Sequence, residues 1–230
     1  MKNFNMNRFG SLIKKDILIA RNKIGSLLAL YIIYFAVAFF SLREVKTLLA
    51  ISHGNFITIF LVLFLFQTSY IIAFMLFPQF IYKESMTEKH EIYFAYQYSI
   101  FEIIMAKSII LCCLSLLPGY ILLFFLFYPL LVFSASFIFC TFLVIPFISF
   151  AFIALNVLFS WFTKGGRMIS TALLLIFIFL LTQFRKIINP SVSVSYWDVS
   201  LILMAIAIVL TTGITLISIS IKKERCIIKN

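Results

Sequence analysis

The sequence predicts an all-α, polytopic membrane protein, and three observations carry that prediction. Of 230 residues, 63% are hydrophobic and only 12% charged, with a mean hydropathy of +1.13. A water-soluble domain cannot bury that much apolar side chain and still present a polar surface. The charges are also clustered: Thr47 to Tyr82 and Ser108 to Thr163 contain no Asp, Glu, Lys or Arg. Finally, the apolar runs exceed the alternating segments of about ten residues that build a membrane β-barrel, and they are apolar on every side.

Residues 1–26 read as a cytosolic amphipathic helix lying in the membrane interface. Phe9, Ile13, Ile17, Ala20 and Ile24 share one face, and Ser11, Lys14, Lys15, Arg21 and Asn22 lie mostly opposite. Asp16 intrudes on the apolar side and Leu18 on the polar side. A plain basic leader that only sets topology is the alternative. The stretch is too long for the n-region of a cleavable signal peptide.

A membrane domain then covers 27–221. A helical span needs about 20 apolar residues, and six segments qualify: Leu27–Leu42, Phe56–Ile81, Ile100–Tyr128, Phe133–Phe162, Met168–Phe184 and Val199–Ile221. The charge-free run Ser108–Thr163 is too long for one span and fits a tight helical hairpin. Its turn is Tyr128-Pro129 with Ser134-Ala135-Ser136. Pro118-Gly119 and Pro146 fall inside these two spans and predict kinks or freed carbonyls that neighbouring helices must satisfy. Residues 222–230 form a basic tail.

The net charge of +11 reads as topology, not nucleic-acid binding, because no nucleic-acid module is present. The termini, the segment around Lys83, Lys89 and Lys107, and the turn Lys164-Gly-Gly-Arg167 hold fifteen of the 19 basic residues. Arg43, Lys46, Arg185 and Lys186 fall on the other side. The excess places both termini inside the cell, with six spans. The abundant Lys, Asn, Ile and Phe suggest an AT-rich bacterial genome, and the expected location is the bacterial cytoplasmic membrane. Cys112, Cys113 and Cys140 lie in apolar spans and Cys226 in the tail, without metal-ligand spacing.

Half of the acidic residues sit in one short island: Glu84, Glu88, Glu91 and Glu102. Ser85-Met-Thr-Glu88 and Ser99-Ile-Phe-Glu102 each have the form of a capping box. They predict a short cytosolic helix over about 85–96 and the start of the third span near Ser99. Glu84, Glu88 and Glu91 share a face of the short helix. Acidic groups do not suit an anionic leaflet, so this face is expected to meet a protein.

From Glu84 to Lys107 the chain resembles the cytosolic signature of type-2 ATP-binding-cassette exporter permeases. Glu84, Glu91, Ser99, Glu102, Ala106 and Lys107 match in order and approximate spacing, while Gln97 stands where the family usually has Pro and the usual Gly near Thr87–Glu88 is absent. The resemblance extends to the basic lead helix, six spans, internal termini and short outer loops. It implies that the island is a coupling helix docking on a separate cytosolic ATPase. Glu84, Glu88 and Glu91 would transmit the ATPase stroke, and Ser99, Glu102 and Lys107 would anchor the start of span three. It further implies a dimer of ATPases that bind ATP and magnesium, and a second permease copy, identical or paralogous, with alternating access as the mechanism.

This chain carries no phosphate-cradling G-x-x-x-x-G-K-[ST], so no cofactor and no catalytic or metal-binding residue is assigned to it. No charge is expected in the interior of the spans, which argues against ion-coupled transport. Gln67, Asn156 and Gln183 are the candidates for a substrate path, although interhelical hydrogen bonding is the commoner role of such residues. The expected cargo is amphipathic or hydrophobic: a peptide such as an antimicrobial peptide, a drug or a lipid-like molecule. Two rival readings are the substrate-binding membrane subunit of a motor-driven vitamin importer, which normally lacks an acidic coupling helix, and an intramembrane enzyme. Against the latter, His53 and His90 lie in loops on opposite sides.

Overall fold

The structure, a computed structural model, describes residues 5–51, 54–82, 93, 98–128, 133–162, 171–172 and 195–221. Every element among them is helical. An apolar chain can satisfy its backbone groups internally that way. The helices are α1 (Met6–Asn22), α2 (Ile24–Ile51), α3 (Gly54–Phe77), α4 (Ile100–Phe127), α5 (Ala135–Phe139), α6 (Ile145–Phe162) and α7 (Tyr196–Ser220). A π-helical segment, Pro78–Tyr82, continues α3, and a second, Cys140–Val144, joins α5 to α6.

Ile100–Phe125, Ala135–Ser160 and Tyr196–Ser220 are each long and apolar enough to cross a membrane. A fourth candidate is α1 with the first part of α2, two helices bent by 71°; Phe64–Phe77 is apolar but shorter. These long apolar helices suggest a membrane protein. Met168–Phe184, the expected fifth span, lies outside the described residues apart from 171–172, as do the tail and, apart from Tyr93, the expected coupling helix.

The core lies where α3, α4 and α6 meet. Leu65, Ile72 and Leu76 of α3, Leu111 of α4, and Ile153 and Val157 of α6 are fully enclosed. Helices α3 and α4 are in tight contact at Gly119, where a Cβ would stand 3.2 Å from Thr68 Cγ2. Helix α7 packs on α6 through a narrow face of Ser200, Ala207, Ile214 and Ser218. Spacings of seven and four keep those residues in one stripe. Its other faces expose Leu201, Val209 and Leu216.

Pro118 and Pro146 each leave a carbonyl without its helical donor, and a tyrosine serves each one. Pro118 lies inside the continuous helix α4, where its missing N–H orphans the carbonyl of Leu114. Tyr31 of α2 donates its hydroxyl to that oxygen at 2.6 Å. Before Pro146 the chain adopts π register, with the Ile145 N–H bonded to Cys140 O. In that register Thr141 O would face the nitrogen of Pro146, which has no hydrogen. Tyr120 donates to Thr141 O instead, at 2.7 Å. The expected rescue of freed backbone groups by neighbouring helices is therefore present at both sites.

Candidate functional site

Asn5, Asp16, Ser99, Glu102 and Lys107 converge where α1, the Pro78–Tyr82 segment and the first turns of α4 meet. Ser99 is extended and accepts the Glu102 N–H at 3.1 Å, while Glu102 Oε2 accepts the Ser99 N–H at 2.7 Å. This is the expected capping box. Glu102 does more than close its own helix. Its other oxygen, Oε1, accepts the backbone N–H of Asn5 at 2.8 Å, and Asn5 is the N-cap of α1. The residue that would close a capping box on α1 itself is Arg8, which cannot accept. One carboxylate thus caps the starts of two helices and sits where both positive helix ends favour it.

Five residues further on, Lys107 is 2% exposed and Asp16 of α1 is 3% exposed. Lys107 Nζ lies 3.5 Å from Asp16 Oδ1 and donates to the carbonyl oxygen of Phe80 at 3.0 Å. A buried ammonium requires both a counter-charge and hydrogen-bond acceptors to offset its desolvation. Asp16 supplies the charge and the π-helical segment supplies the carbonyl. Lys107, the eighth residue of the expected span Ile100–Tyr128, corrects the expectation that the spans carry no charge.

The expected apolar face of α1 is divided between the bundle and the exposed surface. Leu12, Asp16, Phe9, Ile13, Ile19 and Ala20 turn toward the bundle, whereas Ile17 is 51% exposed. Asp16 lies at the centre of the packed face and is no intruder on it. Leu12 packs with Tyr93, Ile103 and Ala106. Ser11 Oγ and the Tyr98 hydroxyl are 2.8 Å apart, and Lys15 reaches the Tyr93 hydroxyl. Tyr93 and Tyr98 meet edge to face with centroids 5.9 Å apart.

The chain matches no protein-family model, no curated protein and no solved structure.

Of the expected coupling residues, Ser99, Glu102 and Lys107 are brought to this junction; Glu84, Glu88 and Glu91 lie outside the described residues. Sequence reasoning missed Asn5, Phe80, Tyr93 and Tyr98 as partners. Asp16 carried a signal, because a lone acid on the packed side of a basic helix requires a buried cation. Among the described residues no group of three or more His, Cys, Asp or Glu forms a metal site.

The candidates for a substrate path do not form one group. Asn156 is buried on α6 and donates through Nδ2 to the Tyr70 hydroxyl at 2.7 Å and to Phe152 O at 2.9 Å. Its Oδ1 has no hydrogen-bond partner among the described residues. Gln67 is half-buried on α3, and Gln183 lies outside the described residues. Near Gln67, α3 carries Thr68, which accepts from the Tyr34 hydroxyl at 2.8 Å, and Ser69, whose Oγ lies 3.1 Å from that of Ser115. Hydroxyl and amide pairs of this kind hold apolar helices together.

Proposed function

We propose that this chain is the membrane-spanning permease subunit of an ATP-driven exporter in a bacterial cytoplasmic membrane. In this reading six helices cross the bilayer and both termini are cytosolic. A second permease copy completes the pathway, and a pair of separate ATPase subunits holds the ATP and magnesium. The cargo is amphipathic or hydrophobic and moves outward by alternating access; this chain performs no chemistry of its own.

The observation that carries the reading is the double anchoring of the charged segment. It emerges from α3 at the Phe80 carbonyl held by Lys107 and rejoins the bundle at Ser99 and Glu102, which cap α4 and α1 together. A soluble motor can move membrane helices only through a cytosolic element joined rigidly to them, and this junction supplies such a joint. In this reading Glu84, Glu88 and Glu91, whose spacing predicts one shared helix face, are what the chain offers to the motor.

The test is co-purification of the full chain with the ATPase encoded beside it, followed by ATP-dependent efflux from reconstituted vesicles. Reversing two charges with E88K/E91K should lower ATPase capture and efflux at least about tenfold, since like-charge contacts oppose docking. The thermal stability of the isolated chain should stay unchanged. Capture and efflux at the normal level would remove the coupling role.

A further inference from the structure

We propose that the outer side of α1 is a docking surface for the headgroups of anionic phospholipids. The inference rests on the membrane reading of the long helices and is independent of any ATPase. Around its circumference α1 has three sectors, as helical geometry at 3.6 residues per turn assigns them. The first, centred on Leu12 and Asp16, is packed on α4. The second is apolar yet uncovered: Met6 is 72% exposed and Ile17 51%. The third carries Lys14 and Arg21, both exposed, directly beside the apolar strip.

The bend places this surface. Helix α1 meets the following helix at 71°. If α2 crosses the bilayer, α1 lies close to the membrane plane. Ile24 and Leu28 of α2 are also exposed and continue the apolar strip of Met6 and Ile17 past the bend. An apolar strip edged by cations in the plane of a leaflet matches a lipid surface, with chains beneath and headgroups alongside.

The sign of the headgroup follows from Asp16. It is the one acidic residue of α1, and it is turned inward and neutralised by Lys107. The outward side of the helix therefore carries positive charge alone. A zwitterionic headgroup offers that surface little, and an anionic one offers it a counter-charge.

The test uses the full chain in neutral detergent, with bound lipid counted by native mass spectrometry. Phosphatidylglycerol and phosphatidylcholine of the same chain length serve as probes. The wild-type chain should retain phosphatidylglycerol preferentially. An interfacial basic residue changes binding to an anionic surface by about fivefold, so K14E/R21E should reduce that preference at least tenfold. K14R/R21K should keep it. If the reversal impairs folding, K14Q/R21Q provides the same comparison without new charge, with a smaller loss expected. Equal retention of the two lipids by the wild-type chain would overturn the proposal. So would a preference unmoved in K14Q/R21Q and K14E/R21E, or one that instead disappears in K222E/K223E of the tail. Loss of ATPase capture bears on the exporter reading alone, since this assay contains no ATPase.

Discussion

At the first turns of α4, Glu102 and Lys107 meet α1 through charge. At its midpoint, the same helix meets α2 and α3 through neutral hydroxyls, with Tyr31 on the carbonyl of Leu114 and Ser69 beside Ser115. The first region joins three elements: a helix bent by 71° from the one that follows it, a π-helical segment and the start of a long helix. Charge acts over longer distance and tolerates poor alignment, so it can hold elements that meet at angles. In the second region the hydroxyls make local contacts, one of them to a carbonyl freed by Pro118. An uncharged hydroxyl does that at far lower desolvation cost than a charge. Among the described residues, the difference places the buried ion pair and the shared cap at the start of α4.

The largest effect expected from breaking this contrast is at Lys107. K107M leaves Asp16 buried without its counter-ion and should destabilise the chain by about 3–5 kcal/mol, read from equilibrium unfolding in detergent. The double substitution D16M/K107M removes both charges and should recover most of that loss. A double variant no more stable than K107M would show that the pair is not held by charge compensation.

A smaller effect is expected at Glu102. E102A removes the acceptor of two capped N–H groups and should cost about 2 kcal/mol. Hydrogen exchange should rise at the starts of both α1 and α4. A rise confined to α4 would mean that the Asn5 contact contributes nothing.

The smallest effect belongs to the neutral region. Y31F should cost about 1 kcal/mol by leaving the Leu114 carbonyl without a donor. Adding P118A restores the helical N–H that the carbonyl lacks, so the tyrosine hydroxyl should become silent in the P118A background. An undiminished Y31F effect in that background would separate the hydroxyl from the proline.

Local patterns in the sequence made part of this architecture legible. The Ser99–Glu102 capping box is a four-residue signal and is present as read. Pro118 and Pro146 announced freed carbonyls because the missing N–H is a property of the residue itself. The partners of those groups were not legible. Tyr31 lies 83 residues from Leu114, and Asp16 lies 91 from Lys107; nothing local selects them. The apolar side of α1 was read as one face; the bundle covers its Phe9, Ile13 and Ala20 and leaves Ile17 exposed, with Asp16 turned inward. Its apolar residues occupy two adjacent sectors, and only packing decides which one the bundle covers. Hydropathy favours Ile17 over Asp16 at a buried position, and it carries no information about a cation from another helix that makes the acid the better choice.

The double cap at Glu102 also imposes an order on biogenesis. The Asn5 N–H waits for a carboxylate 97 residues downstream. At translation rates of about 5–20 residues per second, that gap corresponds to roughly 5–20 seconds. Throughout that interval the start of α1 lacks its closing acceptor, and Asp16 lacks the lysine that neutralises it. Helix α1 is made before α4 and finished late, when the ribosome delivers the beginning of α4.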